Sequence, residues 1–310
     1  MSLKFLLVGD GNIGQVHKRI ISSGSDTKIV GVVDFKYKKN IKKGVSFYNN
    51  IDEVNLNQNN YDGVVIATYT DSHIKLAKKI LSKGIPVFIE KPLTTRYFEI
   101  EQLIKIAKKN KTFFRVGLIE TYNPIFKFLN NNLDLNKLDL IHIYRHSPMA
   151  QSDRKLDNVI FDLLIHDIAV LYQMFNTKKI NLVSKTFVKS KGVIETVELM
   201  LKIAKTNVFI SASRQSQIKE RKWTLQSSDY LYHANLLSKS INEYTTGEIN
   251  YLDKNNPLFK TKKSEITFIN EKETAQIQFE KFLENIYENK FDQDHLKTVI
   301  KSHKFVSLLK

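Results

Sequence analysis

The stretch that most limits the fold is Gly9-Asp10-Gly11-Asn12-Ile13-Gly14. It follows the apolar run Leu3–Val8 directly and opens a helical pattern over 13–22. Each glycine has a physical reason at this spacing. Gly9 permits a tight turn, Gly11 lets the backbone approach a pyrophosphate, and Gly14 allows helix and strand to pack closely. The N-terminus of the helix that follows favours negative charge. Asp34 ends the next apolar run, twenty residues past Gly14, where a carboxylate suits ribose hydroxyls. The pattern predicts a dinucleotide site contacted by Gly9, Gly11, Asn12, Ile13, Gly14 and Asp34. An aspartate beside the ribose disfavours a 2′-phosphate and points to NAD. Lys36, Lys38 and Lys39 follow closely and keep NADP open.

The next segments extend the same theme. Apolar runs at Tyr61–Ala67, Ile85–Ile89 and Phe113–Ile119 alternate with helical patterns at Ser72–Lys83 and Tyr97–Asn110. Short strands alternating with helices give β-α-β units and a parallel sheet. Beyond Glu120 the texture changes. Helical patterns cover Ile125–Asn131 and Asn158–Phe175. Strand-like runs then succeed one another at Leu182–Lys189, Val193–Ala204, Asn207–Arg214 and Lys222–Gln226. Connections this short predict antiparallel neighbours. The expected fold is a parallel α/β domain over 1–120, then an α+β domain over 121–310 with an open, mainly antiparallel sheet. Helical patterns at Glu271–Asn289 and Asp294–Leu309 close the chain, free to pack back on the first domain.

Composition excludes several functional classes. There is no cysteine among 310 residues, hence no disulfide framework, thiol nucleophile or Cys-ligated metal, and no metal site is expected. No apolar run approaches the ~20 residues of a membrane helix, and the first residues lack a secretory pattern, so a cytoplasmic protein is expected. The net charge of +16 raises nucleic acid as a partner. Only seven of the 48 basic residues are arginine, and the lysines are scattered, so no nucleic-acid role is expected. A positive field still attracts anionic small molecules.

Ligands of open parallel sheets bind beyond the carboxyl ends of the strands. The segment Ala67–His73 lies there, which makes Thr68, Thr70 and His73 expected cofactor contacts. Glu90-Lys91-Pro92 follows the next strand. Glu90 and Lys91 are placed at the same crevice. The Lys91 ammonium is suited to stabilise a developing alkoxide there. In the apolar helix around 158–175, Asp162 and His166 stand at i and i+4 and share a face. A general base oriented by a carboxylate and a core histidine bonded to a core aspartate fit that spacing equally. Asp167 points about 100° away, as a structural partner of a basic or backbone group.

Four motifs in order, GDGNIG (9–14), IATYTDSH (66–73), EKPL (90–93) and DLLIHD (162–167), span both halves. With them the chain resembles the glucose–fructose oxidoreductase, inositol dehydrogenase and rhizopine-catabolism (Gfo/Idh/MocA) family of NAD(P)-dependent dehydrogenases. The resemblance implies a Rossmann domain followed by an α+β domain. It further implies a homodimer or homotetramer formed through the open sheet, with Lys91, Asp162 and His166 as catalytic residues. VGLIETYNP (116–124) and DLLIHDIA (162–169) are similar to the UDP-N-acetylglucosamine 3-dehydrogenase-like branch. Leu118, Thr121 and Ala169 depart from that branch's His, Arg and Asp. Oxidation of a sugar or nucleotide-sugar ring hydroxyl is the activity implied, with a free sugar or polyol as the alternative substrate. A non-catalytic NAD-binding regulator is a further alternative. Tyr122 and Asn123 are then expected at the substrate mouth, and Arg145 and Arg154 at a substrate diphosphate.

Overall fold

The computed structural model describes residues 2–36, 44–149, 157–176, 179–253, 256–269 and 272–309, with backbone alone over 246–260. The chain divides into two units, one of Met1–Ile119 with Lys272–Leu308 and the other of Glu120–Glu271.

In the first unit the strands are β1 (Leu3–Val8), β2 (Thr27–Val33), β3 (Ser46–Tyr48), β4 (Gly63–Ile66), β5 (Val87–Ile89) and β6 (Phe114–Val116). They form one sheet in the order β3-β2-β1-β4-β5-β6, parallel throughout. Helices α1 (Asn12–Ser23), α2 (Thr70–Leu81) and α3 (Phe98–Lys109) connect the strands. Central strands covered on both faces read as continuous apolar runs, and every residue of β4 and β5 is buried. The strand order reverses between β1 and β4. The loops at 9–11 and 67–69 therefore flank the switch point where such sheets bind ligands. β3 lies outside the runs singled out in the sequence, being three residues at the sheet edge with no fully buried side chain.

The closing helices, α6 (Thr274–Glu288) and α7 (Gln293–Ser307), belong to this unit. Their residues fell within the 121–310 span expected of the second domain. Aromatic packing gives the reason for their place. Phe279 lies edge-on to Phe5 at 5.4 Å, and Phe282 meets Phe88 at 5.8 Å and Phe113 at 5.9 Å. Two histidines of α7 complete the seam. His295 Nε2 accepts the N–H of Val116 on edge strand β6 at 3.1 Å, and His303 Nε2 accepts that of Leu93 at 3.2 Å. Burial pushes both imidazoles down, His303 to about 4 and His295, beside Arg115, to about 3.

In the second unit, α4 (Pro124–Asn132) is followed by β7 (Leu140–His146). A π turn (Ile160–Leu164) then runs into α5 (Ile165–Met174). Strands β8 (Ile180–Ser190), β9 (Val193–Ile203), β10 (Thr206–Ser213), β11 (Glu220–Gln226), β12 (Tyr230–Asn235), β13 (Ser240–Asp253) and β14 (Asn256–Thr267) follow. The sheet order is β14-β13-β12-β11-β7-β10-β9-β8. Two expectations change here. β10 and β11 are not neighbours, because β7 lies between them, parallel to β10 and antiparallel to β11. The π turn replaces the first turn of the expected α-helix.

Alternation sorts the faces of this sheet. Ile141, Ile143, Val197, Leu199, Leu201, Val208, Ile210, Trp223 and Leu225 are buried. Three arginines share their parity at strand ends: Arg145 with Ile143, Arg221 with Trp223, and Arg214 with Ala212. Arg145 and Arg214 are buried, while Arg221 is half-buried. Each meets a carboxylate: Arg145 meets Asp167 of α5, Arg214 meets Glu195 of β9 and Asp162 of the π turn, and Arg221 meets Glu120, which is what burying a cation demands.

Candidate active site

The glycine loop lies in the first unit. Gly9 adopts φ +98°, and a Cβ there would lie 2.6 Å from the Ala67 carbonyl oxygen. A Cβ on Gly14 would lie 2.0 Å from the Gly9 oxygen. Both positions therefore require glycine, and the loops after β1 and β4 touch. Gly11 caps α1 without a side-chain hydrogen bond, and the first turn holds no acidic residue. Gly11, Asn12 and Ile13 are exposed, so the amide dipoles at this N-terminus are uncovered. That donor set fits a dinucleotide diphosphate.

Asp10 would repel such an anion, but its carboxylate turns aside to Gln15 Nε2 (2.6 Å) and Lys18 Nζ (3.2 Å). Asp34 stands at the end of β2. Its Oδ2 accepts the Asp10 N–H at 2.7 Å and its Oδ1 the Lys36 N–H at 2.8 Å. The carboxylate is thus aimed from two sides and steadies the glycine loop. Lys38 and Lys39 lie outside the described residues.

In the loop after β4, the Thr68 and Ser72 hydroxyls are 2.6 Å apart, and Thr68 and Thr70 are half-buried. His73 is 1% exposed. Its Nδ1 faces the Pro92 carbonyl at 2.9 Å and its Nε2 the Thr68 carbonyl at 3.1 Å. The ring braces two loops. Lys91 is half-buried beyond β5, before a cis Pro92. Glu90 is turned inward, with Oε1 2.7 Å from His17 Nε2 and Oε2 accepting the Lys91 N–H at 3.2 Å. Burial pushes its carboxyl up, and His17 together with Lys91 more than reverses that. A Cβ on Gly117 would lie 2.9 Å from the same carboxylate. Glu90 therefore supports the Lys91 backbone from beneath, where the sequence suggested a cofactor contact.

Asp162 and His166 lie in the second unit. The π turn carries Asp162, and α5 begins three residues later. π turns concentrate at functional sites because they re-aim side chains within a helix. His166 is 7% exposed, whereas the Asp162 side chain is 29% exposed. Asp162 Oδ2 accepts from Arg214 Nη1 at 3.3 Å.

Two expected substrate contacts have other partners. Arg145 is 1% exposed and donates to Asp167 through Nε and Nη2, and to Glu120 through Nη1 at 3.2 Å. Trp223 Nε1 also donates to Asp167, at 3.1 Å. The Arg145 guanidinium is buried between these two carboxylates, which occupy Nε, Nη1 and Nη2 in place of the expected diphosphate. Burial pushes the Glu120 carboxyl up, but Arg145 and Arg221 hold it below the usual range. Asn123 is 5% exposed and caps α4, its Oδ1 accepting the Ile125 N–H at 3.2 Å. Tyr122 is half-buried, and Arg154 lies outside the described residues. Among the described residues no group of three His, Asp or Glu is arranged to hold a metal, and no helix is long and apolar enough to cross a membrane.

Sequence reasoning passed over His17, Glu195 and Arg214. The signal for the last two was parity. Arg214 continues the buried positions Val208, Ile210 and Ala212, and Glu195 precedes Val197 and Leu199. His17 carried no signal of its own, since only the parallel sheet brings α1 to Glu90.

Comparison with known proteins agrees with this geometry. Residues 3–118 match the model of the Gfo/Idh/MocA oxidoreductase family, described as an NAD-binding Rossmann fold. Inositol 2-dehydrogenase of Rhizobium meliloti is 26% identical over 176 residues, 54% of this chain and 53% of that protein. The rhizopine catabolism protein MocA of Rhizobium meliloti is 26% identical over 170 residues, 52% and 53% of the two chains. The chain thus spans about half the length of the curated relatives it matches. Among solved structures, UDP-N-acetylglucosamine 3-dehydrogenase GnnA from Acidithiobacillus ferrooxidans superposes with a TM-score of 0.78 at 18% identity, covering 99% of this chain and 97% of that one. KijD10, a 3-ketoreductase from Actinomadura kijaniata solved with TDP-benzene and NADP, gives 0.81 at 10% identity, covering 99% and 96%. These likenesses extend the shared fold over both units. Over residues 3–118, the chain is thus similar to the Gfo/Idh/MocA family of NAD-binding oxidoreductases.

Proposed function

We propose that the protein is an NAD(P)-dependent dehydrogenase of a sugar ring hydroxyl, with a nucleotide sugar of the UDP-N-acetylglucosamine type as leading substrate and carbon 3 as the site of oxidation. The observation that carries the cofactor half of this reading is the uncovered N-terminus of α1 beside the doubly held Asp34 carboxylate. NAD, when bound, takes up the hydride released from the ring carbon. In this reading His166 accepts the hydroxyl proton and Asp162 favours the imidazolium that results. The Lys91 ammonium donates to the oxygen as negative charge develops on it. Tyr122 contributes to the substrate mouth.

A free polyol is the second reading. It is supported by the pairing of Arg145, one of the two expected diphosphate contacts, with Asp167 and Glu120, and by the inositol 2-dehydrogenases among the relatives. The test is reduced-cofactor absorbance with NAD or NADP, supplied with UDP-N-acetylglucosamine, other UDP-sugars, inositol or free sugars. A ketone trap pulls the equilibrium, and His166→Ala is the control. A signal with UDP-sugars, lost in the variant, supports the leading reading. A signal confined to unphosphorylated polyols replaces it with the second, and cofactor binding without turnover of any of them leaves the non-catalytic alternative.

We also propose that the outer face of the second unit's sheet joins copies of the chain as a homodimer or homotetramer. Tyr144 and Val188 are exposed there at 40% and 48%. Light scattering of the purified protein tests this, and a monomer at micromolar concentration overturns it.

A further inference from the structure

Arg214 directly follows β10 and is 3% exposed. Its N–H extends the ladder with β9 by donating to the Glu195 carbonyl at 2.9 Å. Three acceptors hold the guanidinium. Nε donates to Glu195 Oε2 at 2.8 Å, and Nη1 donates to the Asp157 carbonyl at 2.6 Å and to Asp162 Oδ2 at 3.3 Å. Nη2 is buried with no hydrogen-bond partner among the described residues.

These contacts are unequal. The Glu195 side chain is 11% exposed and tightly held, whereas that of Asp162 is 29% exposed and carries the longest of the three bonds. Glu195 and the Asp157 carbonyl therefore fix the guanidinium. Asp162 receives the attraction left over and keeps an edge toward solvent. One buried cation shared by two carboxylates divides its stabilisation between them. Among the described residues, Glu195 and Asp157 share Arg214 with Asp162, and His166 and Asp167 follow it on the same helical segment. Asp167 is committed to Arg145.

We infer that Arg214 is a positioning residue for Asp162, anchored by Glu195, and that this clamp keeps the Asp162 carboxylate ionised and aimed beside His166. The catalytic importance of the clamp rests on the proposed dehydrogenase reading; its electrostatic part does not. Removing the cation and removing the competing carboxylate have opposite consequences. Arg214→Met deprives Asp162 of its positive neighbour. Glu195→Gln keeps an acceptor of the same shape and leaves the whole guanidinium charge to Asp162.

The deciding measurement is a carbon-13 NMR titration of the aspartate carboxyl carbons in the full-length protein, with Asp162 assigned through Asp162→Asn. The Asp162 midpoint is expected to rise by about one pH unit or more in Arg214→Met and to fall in Glu195→Gln. Arg214→Lys restores part of the difference. In turnover with whichever substrate proves active, the acid limb of kcat/KM moves in the same two directions, and kcat falls more than KM rises. Midpoints that stay put, or that move the same way in both variants, overturn the inference. Should Arg214→Met fail to fold, the sign of the Glu195→Gln shift decides. An enzyme without turnover on any sugar would sink the dehydrogenase reading, while the titration would still answer for the clamp.

Discussion

His303 Nε2 accepts the backbone N–H of Leu93 at 3.2 Å, so the last helix of the chain braces the loop that carries Lys91. Its Nδ1 is 2.8 Å from the Val299 carbonyl, which fixes the neutral tautomer with the proton on Nδ1. An acid-sensitive contribution to stability follows. Burial holds this imidazole at about 4, against ~6.5 in an unfolded chain. Between these values the unfolded state binds the extra proton, so the contribution is full above about pH 6.5 and declines as pH falls toward 4. Urea midpoints measured at pH 7.5 and 5 should drop for the natural chain. The drop should be smaller in His303→Gln, whose amide oxygen accepts from Leu93 without titrating. An equal drop in both would contradict this account.

Gly14→Ala places a methyl group 2.0 Å from the Gly9 carbonyl oxygen. Backbone on both sides leaves no flexible side chain to yield, so α1 must move away from β1. Loss of NAD binding beyond tenfold is expected, together with a lower melting temperature. Calorimetric titration with NAD and a thermal melt check the two effects separately.

Asp34→Ser removes the acceptor shared by the Asp10 and Lys36 amides. Hydrogen bonds to a charged group contribute roughly 1.5–3 kcal/mol. NAD affinity should fall by that order, and the ratio of NAD to NADP affinity should shift toward NADP as the negative charge disappears. Parallel titrations with both cofactors test it; an unchanged ratio would show that Asp34 does not face the ribose.

Arg145→Met leaves Asp167 and Glu120 buried without their common cation. Breaking such a pair costs roughly 3–5 kcal/mol. The loss should appear in chemical denaturation whether or not a nucleotide sugar is present. A variant of normal stability with raised KM for nucleotide sugars alone would restore Arg145 to the substrate site.

The glycine loop and the strand ends beside it were largely legible because their parts are local. Gly9, Gly14 and Asp34 act through backbone shape and strand ends, which short motifs record. The helix carrying Asp162 and His166 was legible as an apolar run, but the π turn was not, since the hydrogen-bond pattern leaves no mark in hydrophobic spacing. β7 escaped notice because His142, Tyr144 and His146 alternate with Ile141, Ile143 and Arg145, diluting the apolar signal of a central strand. Arg145 looked available for phosphate for the same reason. Its parity placed it inside, but nothing near it in sequence announced Asp167 as its partner.

By itself the sequence determined the parallel sheet, the glycine loop and the residue types able to move a proton, because each depends on periodicity or on a few adjacent residues. Tertiary structure alone decided that Phe279 and Phe282 draw the C-terminal helices onto the first sheet. It also decided that His17 supports Glu90, and that Arg145 and Arg214 serve carboxylates of the protein itself. Those outcomes rest on desolvation. A buried charge must find its counter-charge wherever the fold brings one, and that pairing joins residues from 22 to 73 positions apart.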